Sequence, residues 1–550
     1  MPAPSRGWIG ASVAGMEMSP KTALTAAALS GAAAFGAWAA HWGATVPWRL
    51  LVASLAIVVL VVPKWPRWRG LGGAGVKTRL LLLLAVASLS QATADDLWRF
   101  ATTPEVRVWN VYHYYLGAKY FDELGYHDLY EATLAADREG ENYWRKIRQV
   151  RNLRTYRKEP RVAAELRYQP REHFSAERWQ EFGRDVAALK RHRPAEKWRG
   201  IFVDRGYNPS PFWTVVGGLL TRWFPTTQPL ALKILCSLDL LLLAATFVFV
   251  GRVFGTRSAA LVLLFFTLTP VNNGRLIGGF LQYDWFCALA AGFCFLRRGR
   301  PWPAGVLTAY AVLARVFPAV FVASAAIPLA EGWVRTGRLR RTQWTFLLAV
   351  ALTGGLGLTL GCLTDRGTGA WIEFVGNVEH HSSEHLYGER RVGLKHFFTH
   401  NLRSFELDES QSDRRRLFER QEGLYLAATA VFLTLFLLAV RRRSIPDAFL
   451  FGLLPFFALA VSSRYYWSYL VLLPLLARPG PQGRRRVRTL DVAQAAVYLL
   501  YYSYVLRQGD PYAAYSIFNL LLAAFFLILL GVYLSGDLRV LRRRSASGTP

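Results

Sequence analysis

Long apolar runs alternate with polar stretches along most of this chain. Runs such as LLLLAVASLS, LDLLLLAATFVFV, LVLLFFTLT and LLLAAFFLILLGVYL recur throughout. In lipid such a run satisfies its own backbone as a helix, whereas the strands of a membrane barrel would alternate apolar and polar positions. The pattern predicts spans at 22–40, 48–63, 80–94, 229–251, 258–271, 280–296, 303–314, 316–331, 344–362, 422–440, 447–462, 466–478, 490–506 and 514–535. The expected fold is an all-α polytopic membrane protein with about 12–14 transmembrane helices.

The polar stretches carry the topology. PKWPRWRG, RRGRP, VRTGRLRRTQ, RRRS, RPGPQGRRRVR and the tail RVLRRRS are short and basic, which marks cytoplasmic linkers. Alternating the spans puts all of them on one side. A single helix over 303–331, kinked at Pro318, would send RTGRLRR to the other side, so two short helices meeting near Arg315 are expected. The resulting order is N-terminal helices over 1–94, a first extracytoplasmic loop over 95–228 and a bundle over 229–362. A second outer loop over 363–421, C-terminal helices over 422–535 and a basic cytoplasmic tail over 536–550 complete it.

Within the first outer loop, VYHYYLGAKYFDELGYHDLY (111–130) places Val111, Tyr115, Ala118, Phe121 and Leu124 at helical spacing. His113, Lys119, Asp122 and Glu123 are polar or charged. The stretch predicts an amphipathic helix lying at the outer membrane face, flooring a cavity, with tyrosines at headgroup depth. RVAAELRYQPREHFSAERWQEFGRDVAALKRH reads as amphipathic or soluble helix. PSPFWTVVGGLLTRWF (209–224) is too short to span and reads as an interfacial helix with aromatic anchors.

Composition changes this picture little. The 550 residues are 53% hydrophobic with a formal charge of +29. In a chain of repeated spans, that excess is topology signal and lipid-headgroup contact, so no nucleic-acid partner is expected. Cys236, Cys287, Cys294 and Cys362 lie in or beside apolar blocks and read as packing residues. No cleavable signal peptide is evident. The Ala, Arg and Gly richness fits a bacterial inner membrane, with the outer loops and the active site facing the periplasm.

Several residues carry candidate chemistry. Asp95 and Asp96 follow the third span at once. Adjacent carboxylates there suit a base or a divalent-cation pair (Mg or Mn), and equally a solvated helix end. Asp204 opens DRGYNPSPFW, a turn signature in which a structural role competes with a catalytic one. Asp239 and Lys233 lie in an apolar block, and Arg315 close to one. A charge at that depth needs a partner, which makes Asp239–Arg315 the expected pair. EHHSSEHLYGERRVGLKHFFTH (379–400) contains His381, Glu384 and His385 at the spacing of an H-x-x-E-H zinc motif. Arg390, Arg391 and Lys395 make the same stretch a phosphate-binding candidate. Arg464 lies in SSRYYWSY, where it suits a sugar, a phosphate or an interfacial belt. No Walker loop or dinucleotide fingerprint is present, and GGLGLTLG (354–361) reads as small-residue helix packing.

The order of these parts resembles the GT-C superfamily of membrane glycosyltransferases. The local match is most like glycosyltransferase family 87, of the polyprenyl-phosphate mannosyltransferase type. YHYYLGAKYFDELGYHDLY, DRGYNPSPFW, LARVFPAVF, NVEHHSSEHLYGERRVGLKHF and SSRYYWSYLVLLPLL carry the resemblance, scattered over most of 80–480. It implies inverting transfer of a sugar from a polyprenyl-phosphate donor to a glycan or glycolipid acceptor at the outer face. It also implies an aspartate base in the first outer loop and cations on the leaving phosphate. The family's aspartate often stands four residues before the first loop tyrosine. Counting back from Tyr114 gives Asn110, which cannot act as a base, so either Asp95 or Asp96 takes the role or the activity is lost. Asn110, His113, Lys119, Asp204, Arg315, His380, His381, Arg390 and Arg464 are then the implied substrate-binding residues.

Overall fold

The computed structural model describes residues 20–41, 45–61, 74–272, 276–383, 387–400, 411–476, 483–508 and 511–546. Helices account for nearly all of the ordered backbone, with two short two-stranded ribbons, 149–151 with 158–160 and 391–392 with 462–463. Five helices are long and apolar enough to cross a bilayer: Ala74–Thr102, Pro229–Phe254, Arg341–Leu363, Ser412–Val440 and Tyr512–Gly536. Shorter apolar helices accompany them at Thr45–Val61, Thr256–Leu268 and Ile445–Leu459. The chain is thus an all-α polytopic membrane protein, and each predicted span overlaps a helical segment among the described residues.

Small residues let the helices approach closely. A side chain added at Gly36 would stand 2.1 Å from the Ala87 carbonyl, which brings Pro20–His41 directly onto Ala74–Thr102. In GGLGLTLG, Gly357 serves this purpose against Leu313, while Gly354 and Gly355 face open space. The four cysteines are free thiols, three of them buried in the bundle.

Four features differ from the sequence expectation. Residues 466–478 were expected to form an α-helical span. The described part of that stretch lies instead in an extended 3-10 helix, Arg464–Leu475, an unusually long run of that tighter geometry. The third span does not stop at residue 94 but continues as helix to Thr102, so Asp95 and Asp96 sit on its last turns. The stretch 111–130 is not an interfacial helix. Its helical run from Val108 to Leu124, with a π-turn at Tyr112–Leu116, is buried on nearly all sides. Tyr112 packs edge-on against Trp198 at 5.3 Å, and Tyr120 against Phe182 at 5.0 Å. Its polar positions are absorbed in ion pairs, Lys119 with Asp185 at 2.6 Å and Glu123 with Arg178 at 2.5 Å. Periodicity marks one apolar face, but it does not report the helices 176–190 and 199–202 that cover the other.

The fourth difference is the expected Asp239–Arg315 pair. Asp239 accepts instead from the backbone N–H groups of Gln282 (2.8 Å) and Tyr283 (2.9 Å). Residues 276–283 are irregular and buried, and non-helical backbone at this depth persists only where its polar groups are satisfied. Asp239 supplies two acceptors, Asn110 Oδ1 accepts from Phe280 N at 2.6 Å, and the Gly278 carbonyl accepts from Arg107 N at 2.8 Å.

The region around Arg315 follows the expectation. The helix Pro301–Ala314 ends there, Arg315 is extended (φ −147°, ψ 120°), and the next helix begins at Ala319.

Candidate active site

Arg315 occupies that helix break and is buried. Its Nη2 donates to the Tyr114 hydroxyl at 3.1 Å and its Nη1 to the Ala314 carbonyl at 2.8 Å. The guanidinium lies over the rings of Tyr114 and Trp213, 5.2 and 5.7 Å from their centroids. Asp284, at the start of the helix Asp284–Arg297, is close enough to act on Arg315 electrostatically. Its carboxylate accepts from the Trp213 indole at 2.8 Å and the Tyr310 hydroxyl at 2.9 Å. The charge at Arg315 is therefore held among aromatic rings facing a fixed carboxylate.

Asp204 and Arg205 reach the same place from the turn that precedes the helix Pro211–Trp223. The turn is tight: Gly206 has φ +72°, and its N–H donates to the Tyr130 hydroxyl at 3.1 Å. Asp204 Oδ2 accepts from the Trp109 indole at 2.5 Å. His113 lies in the adjoining layer, between the Trp109 carbonyl and the Tyr130 hydroxyl, each at 2.7 Å. Burial pulls its pKa below the ordinary histidine value, with Asp204 opposing. That imidazole is a buried support for the turn.

The polar segment around Arg391 supplies the third wall. Arg391 pairs with Ser463 in a short antiparallel ribbon, and its Nη1 donates to Ser463 Oγ at 2.6 Å. Asn519 grips the same segment, donating to the Arg391 carbonyl and accepting from Gly393 N, both at 3.0 Å. Arg391 lies within electrostatic reach of Arg205, Tyr465, Asp204 and Tyr466. Burial and the like charge of Arg205 pull its guanidinium down to about 10. His381 lies against the same two arginines. Burial, then Arg205, Arg391 and His380, push its pKa down to about 3. The Tyr156 hydroxyl lies 3.3 Å from His381 Nδ1, and the Tyr156 ring packs on His380 at 4.4 Å. Tyr156 ties the segment after residue 151 to the helix Gly369–Ser383.

One cluster thus brings together Asp204, Arg315, His380 and His381 of the sequence candidates. Others stand apart. Asp95 is exposed, and Asp96 lines a separate cavity with Arg99 and Arg107. Lys119 is held in a structural ion pair. Asn110 is a loop staple. Arg390 is exposed with φ +56°, while its neighbour Arg391 turns inward. Arg464 points to the Tyr515 hydroxyl at 3.5 Å, while Tyr465 and Tyr466 face Arg315. Glu384 and His385 of the zinc motif lie outside the described residues. Among the described residues no group of three or more His, Cys, Asp or Glu is placed to hold a metal ion.

The sequence reading missed Asp284, Arg205, Tyr114 and the Tyr465–Tyr466 pair. Asp284 carried a usable signal, a carboxylate opening an apolar helix. The others had none, since a tyrosine in an aromatic-rich membrane chain is unremarkable.

Two cations, Arg205 and Arg391, lie near one another beside the third, Arg315, with one half-exposed carboxylate, Asp204, among them. The arrangement suits an anionic leaving group with a base nearby. No curated protein and no solved structure matches the chain. Residues 210–463 match the family model described as Glycosyltransferase family 87. The match takes in Arg315, Arg391 and the Ser462–Ser463 strand and begins just after the Asp204 turn. Over those residues the chain is similar to glycosyltransferase family 87.

Proposed function

We propose that the protein transfers a sugar from a polyprenyl-phosphate donor to a glycan or glycolipid acceptor at the extracytoplasmic face of a bacterial inner membrane. Asp204 takes the proton of the acceptor hydroxyl as its oxygen attacks the anomeric carbon. The bond from that carbon to the phosphate oxygen breaks, with inversion, and the polyprenyl phosphate leaves. Arg205, Arg315 and Arg391 offset the charge that grows on it. The observation that carries this reading is the like-charge neighbourhood of Arg205 and Arg391 beside Asp204. Two cations at close range repel, and a phosphate between them turns the repulsion into two attractions.

Asp204 lies within the first outer loop, where the family resemblance calls for the base. Asp96 is the second candidate, because it lines a polar cavity that also takes in Arg99, Arg107 and Val108, the residue before Trp109. A divalent cation on Asp95 and Asp96 would belong to that second reading.

The test is transfer from radiolabelled polyprenyl-phosphate mannose by membranes holding the full chain. Asp204→Asn, Asp96→Asn, Asp95→Asn and Asn110→Asp run beside the wild type. Loss in Asp204→Asn alone supports the assignment. Loss in Asp96→Asn with Asp204→Asn active moves the base to Asp96. An inactive wild type rescued by Asn110→Asp means that the fold has been diverted from catalysis.

A further inference from the structure

A cavity of about 490 Å³ lies at the opposite end of the helix Pro301–Ala314 from Arg315. Pro301 lines the cavity, and Arg315 follows the last turn, about 21 Å away at 1.5 Å per residue. Three connections between helices meet around it. Gly299 comes from the turn between Asp284–Arg297 and Pro301–Ala314. Arg338 and Arg340 come from the linker between Ala319–Thr336 and Arg341–Leu360. Arg443 comes from the linker between Gln411–Val440 and Ile445–Leu450.

The lining is cationic. It holds Arg338, Arg340 and Arg443 and, among the described residues, no carboxylate. The carboxylates near them in sequence pair with other arginines, Glu331 with Arg335 at 2.5 Å and Asp447 with Arg297. Arg443 donates to the Ala439 and Tyr533 carbonyls at 2.8 and 3.3 Å, which hold the guanidinium without neutralising it. The other two arginines stand on a fixed turn. Gly337 has φ +64°, Thr336 Oγ1 donates to the Arg338 carbonyl at 2.9 Å, and Arg340 N–H donates to Gln343 Oε1 at 2.7 Å. Like charges held around one cavity repel, and an anion among them turns the repulsion into attraction.

The surroundings select a lipid. Trp302, Trp333 and Trp344 each adjoin a lining residue and are 46%, 58% and 59% exposed. Exposed tryptophans gathered around one cavity mark the headgroup region of a bilayer. Leu348, Leu352 and Leu356 continue along one exposed face of Arg341–Leu360, four residues apart, as a track for acyl chains. A water-soluble phosphate would meet the cations but leave that apolar face unused. One phosphodiester brings a single negative charge to three cations, and two bring the lining closer to neutral.

We infer that this cavity seats the headgroup of an anionic phospholipid with two phosphodiesters, taken from the leaflet at the end of the bundle away from Arg315, and that the lipid clamps the three connections together. Arg338, Arg340 and Arg443 take the phosphates, and the acyl chains lie along Leu348, Leu352 and Leu356. The lipid is neither donor nor acceptor. It braces the helix that ends at Arg315 and takes no part in transfer, so the inference does not rest on the catalytic proposal.

The test reads binding and stability without turnover. The detergent-purified full chain is titrated separately with cardiolipin, phosphatidylglycerol, phosphatidylcholine and pyrophosphate, with native mass spectrometry and thermal unfolding as readouts. Arg338 and Arg340 are exposed, so R338Q/R340Q leaves the core intact. R341Q/R441Q removes two exposed cations that adjoin the same linkers but do not line the cavity. Cardiolipin should bind more tightly than phosphatidylglycerol, and phosphatidylcholine least. R338Q/R340Q should weaken cardiolipin about tenfold or more, and R341Q/R441Q should stay within about twofold. Cardiolipin should also raise the melting temperature of the wild type and fail to raise that of R338Q/R340Q, because a ligand of the folded chain stabilises it. Equal loss in both pairs, or no loss in R338Q/R340Q, overturns the site. Phosphatidylglycerol binding as tightly as cardiolipin overturns the choice of a lipid with two phosphates. Pyrophosphate binding as tightly overturns the lipid as its source. Binding with no rise in melting temperature overturns the clamp. None of these residues belongs to the cluster around Asp204, so failure here leaves the catalytic proposal standing, and a chain that binds cardiolipin but transfers no sugar leaves this one standing.

Discussion

The Trp109 indole N–H donates to the Asp204 carboxylate across 2.5 Å, joining two residues 95 positions apart in the chain. One carboxylate oxygen is thereby fixed, and the other is left for a proton. Gly200 lies against the face of the same indole, where an added side chain would come within 2.8 Å, so the ring itself is clamped. Trp109→Phe keeps most of the ring and removes the donor. We expect kcat to fall by about tenfold, the scale of one hydrogen bond to a charged group. Donor KM should stay unchanged. A lower melting temperature with unchanged kcat would make Trp109 a packing residue and no more.

Arg390 and Arg391 are adjacent in sequence and opposite in surroundings. Arg391 is bonded to Ser463 and faces Asp204 and Arg205, while Arg390 is exposed. Arg391→Gln should lower kcat/KM for the lipid-phosphate donor by about 10- to 100-fold, the range of a charge-assisted contact on phosphate. Arg390→Gln should stay within about twofold, as an exposed cation does in salt. Equal losses would place the phosphate outside the buried cluster.

Asp239 predicts a structural defect without a catalytic one. It accepts from two consecutive backbone N–H groups of a buried irregular segment, those of Gln282 and Tyr283. An asparagine keeps one acceptor and brings an N–H₂ toward the other donor. Asp239→Asn should destabilise the protein by about 1–3 kcal/mol, the cost of a buried donor left unmatched. Because Asp239 and Arg315 are not paired, the double variant with Arg315→Gln should add within about 0.5 kcal/mol. Thermal unfolding in detergent measures both, and a double variant more stable than the sum would restore the ion pair.

How much of this was legible depends on range. Helix positions were readable because an apolar run in lipid has one way to satisfy its backbone, and the break at Arg315 followed from the sidedness of the basic linkers. The burial of 108–124 was not, because its cover comes from residues 60 or more positions later, such as Phe182 and Trp198. Of the sequence candidates, Asp204, Arg315, His380 and His381 fall in the cluster, while Asp95 and Asp96 stand apart from it. Arg391 turns inward where its neighbour Arg390 does not, and Tyr465 and Tyr466 face Arg315 where Arg464 does not, because sequence locates a reactive stretch but not the direction of each side chain. A two-residue ribbon, Arg391–Val392 with Ser462–Ser463, decides that direction, and a pairing so short leaves no periodic signal. Asp204 was read as a turn residue, which it is. The role proposed for it as base depends on Trp109 and Arg391, neither of them near it in sequence.

The polar segment that carries His396 and His400 should also make the fold acid-sensitive. His396 is fully buried. Its Nδ1 lies 3.1 Å from Asn519 Nδ2 and its Nε2 lies 3.3 Å from the Gly388 carbonyl. A neutral imidazole that accepts at Nδ1 and donates at Nε2 satisfies both neighbours. Burial pushes its pKa down to about 3, with His400 next in effect. Burial, then Arg414, brings His400 down to about 4. In the unfolded chain both return to about 6.5, so between these limits the unfolded state binds more protons and stability rises with pH. The contribution is complete above about pH 6.5 and is lost as the pH falls below it. At pH 5 each imidazole kept neutral costs about 2 kcal/mol relative to neutral pH. The melting temperature of the purified chain should therefore drop between pH 7 and pH 5. His396→Gln retains a donor and an acceptor but no titration, so its melting temperature should fall less steeply over that interval. The same slope in both proteins would mean that His396 is already protonated in the folded state, with the Asn519 amide turned to meet it.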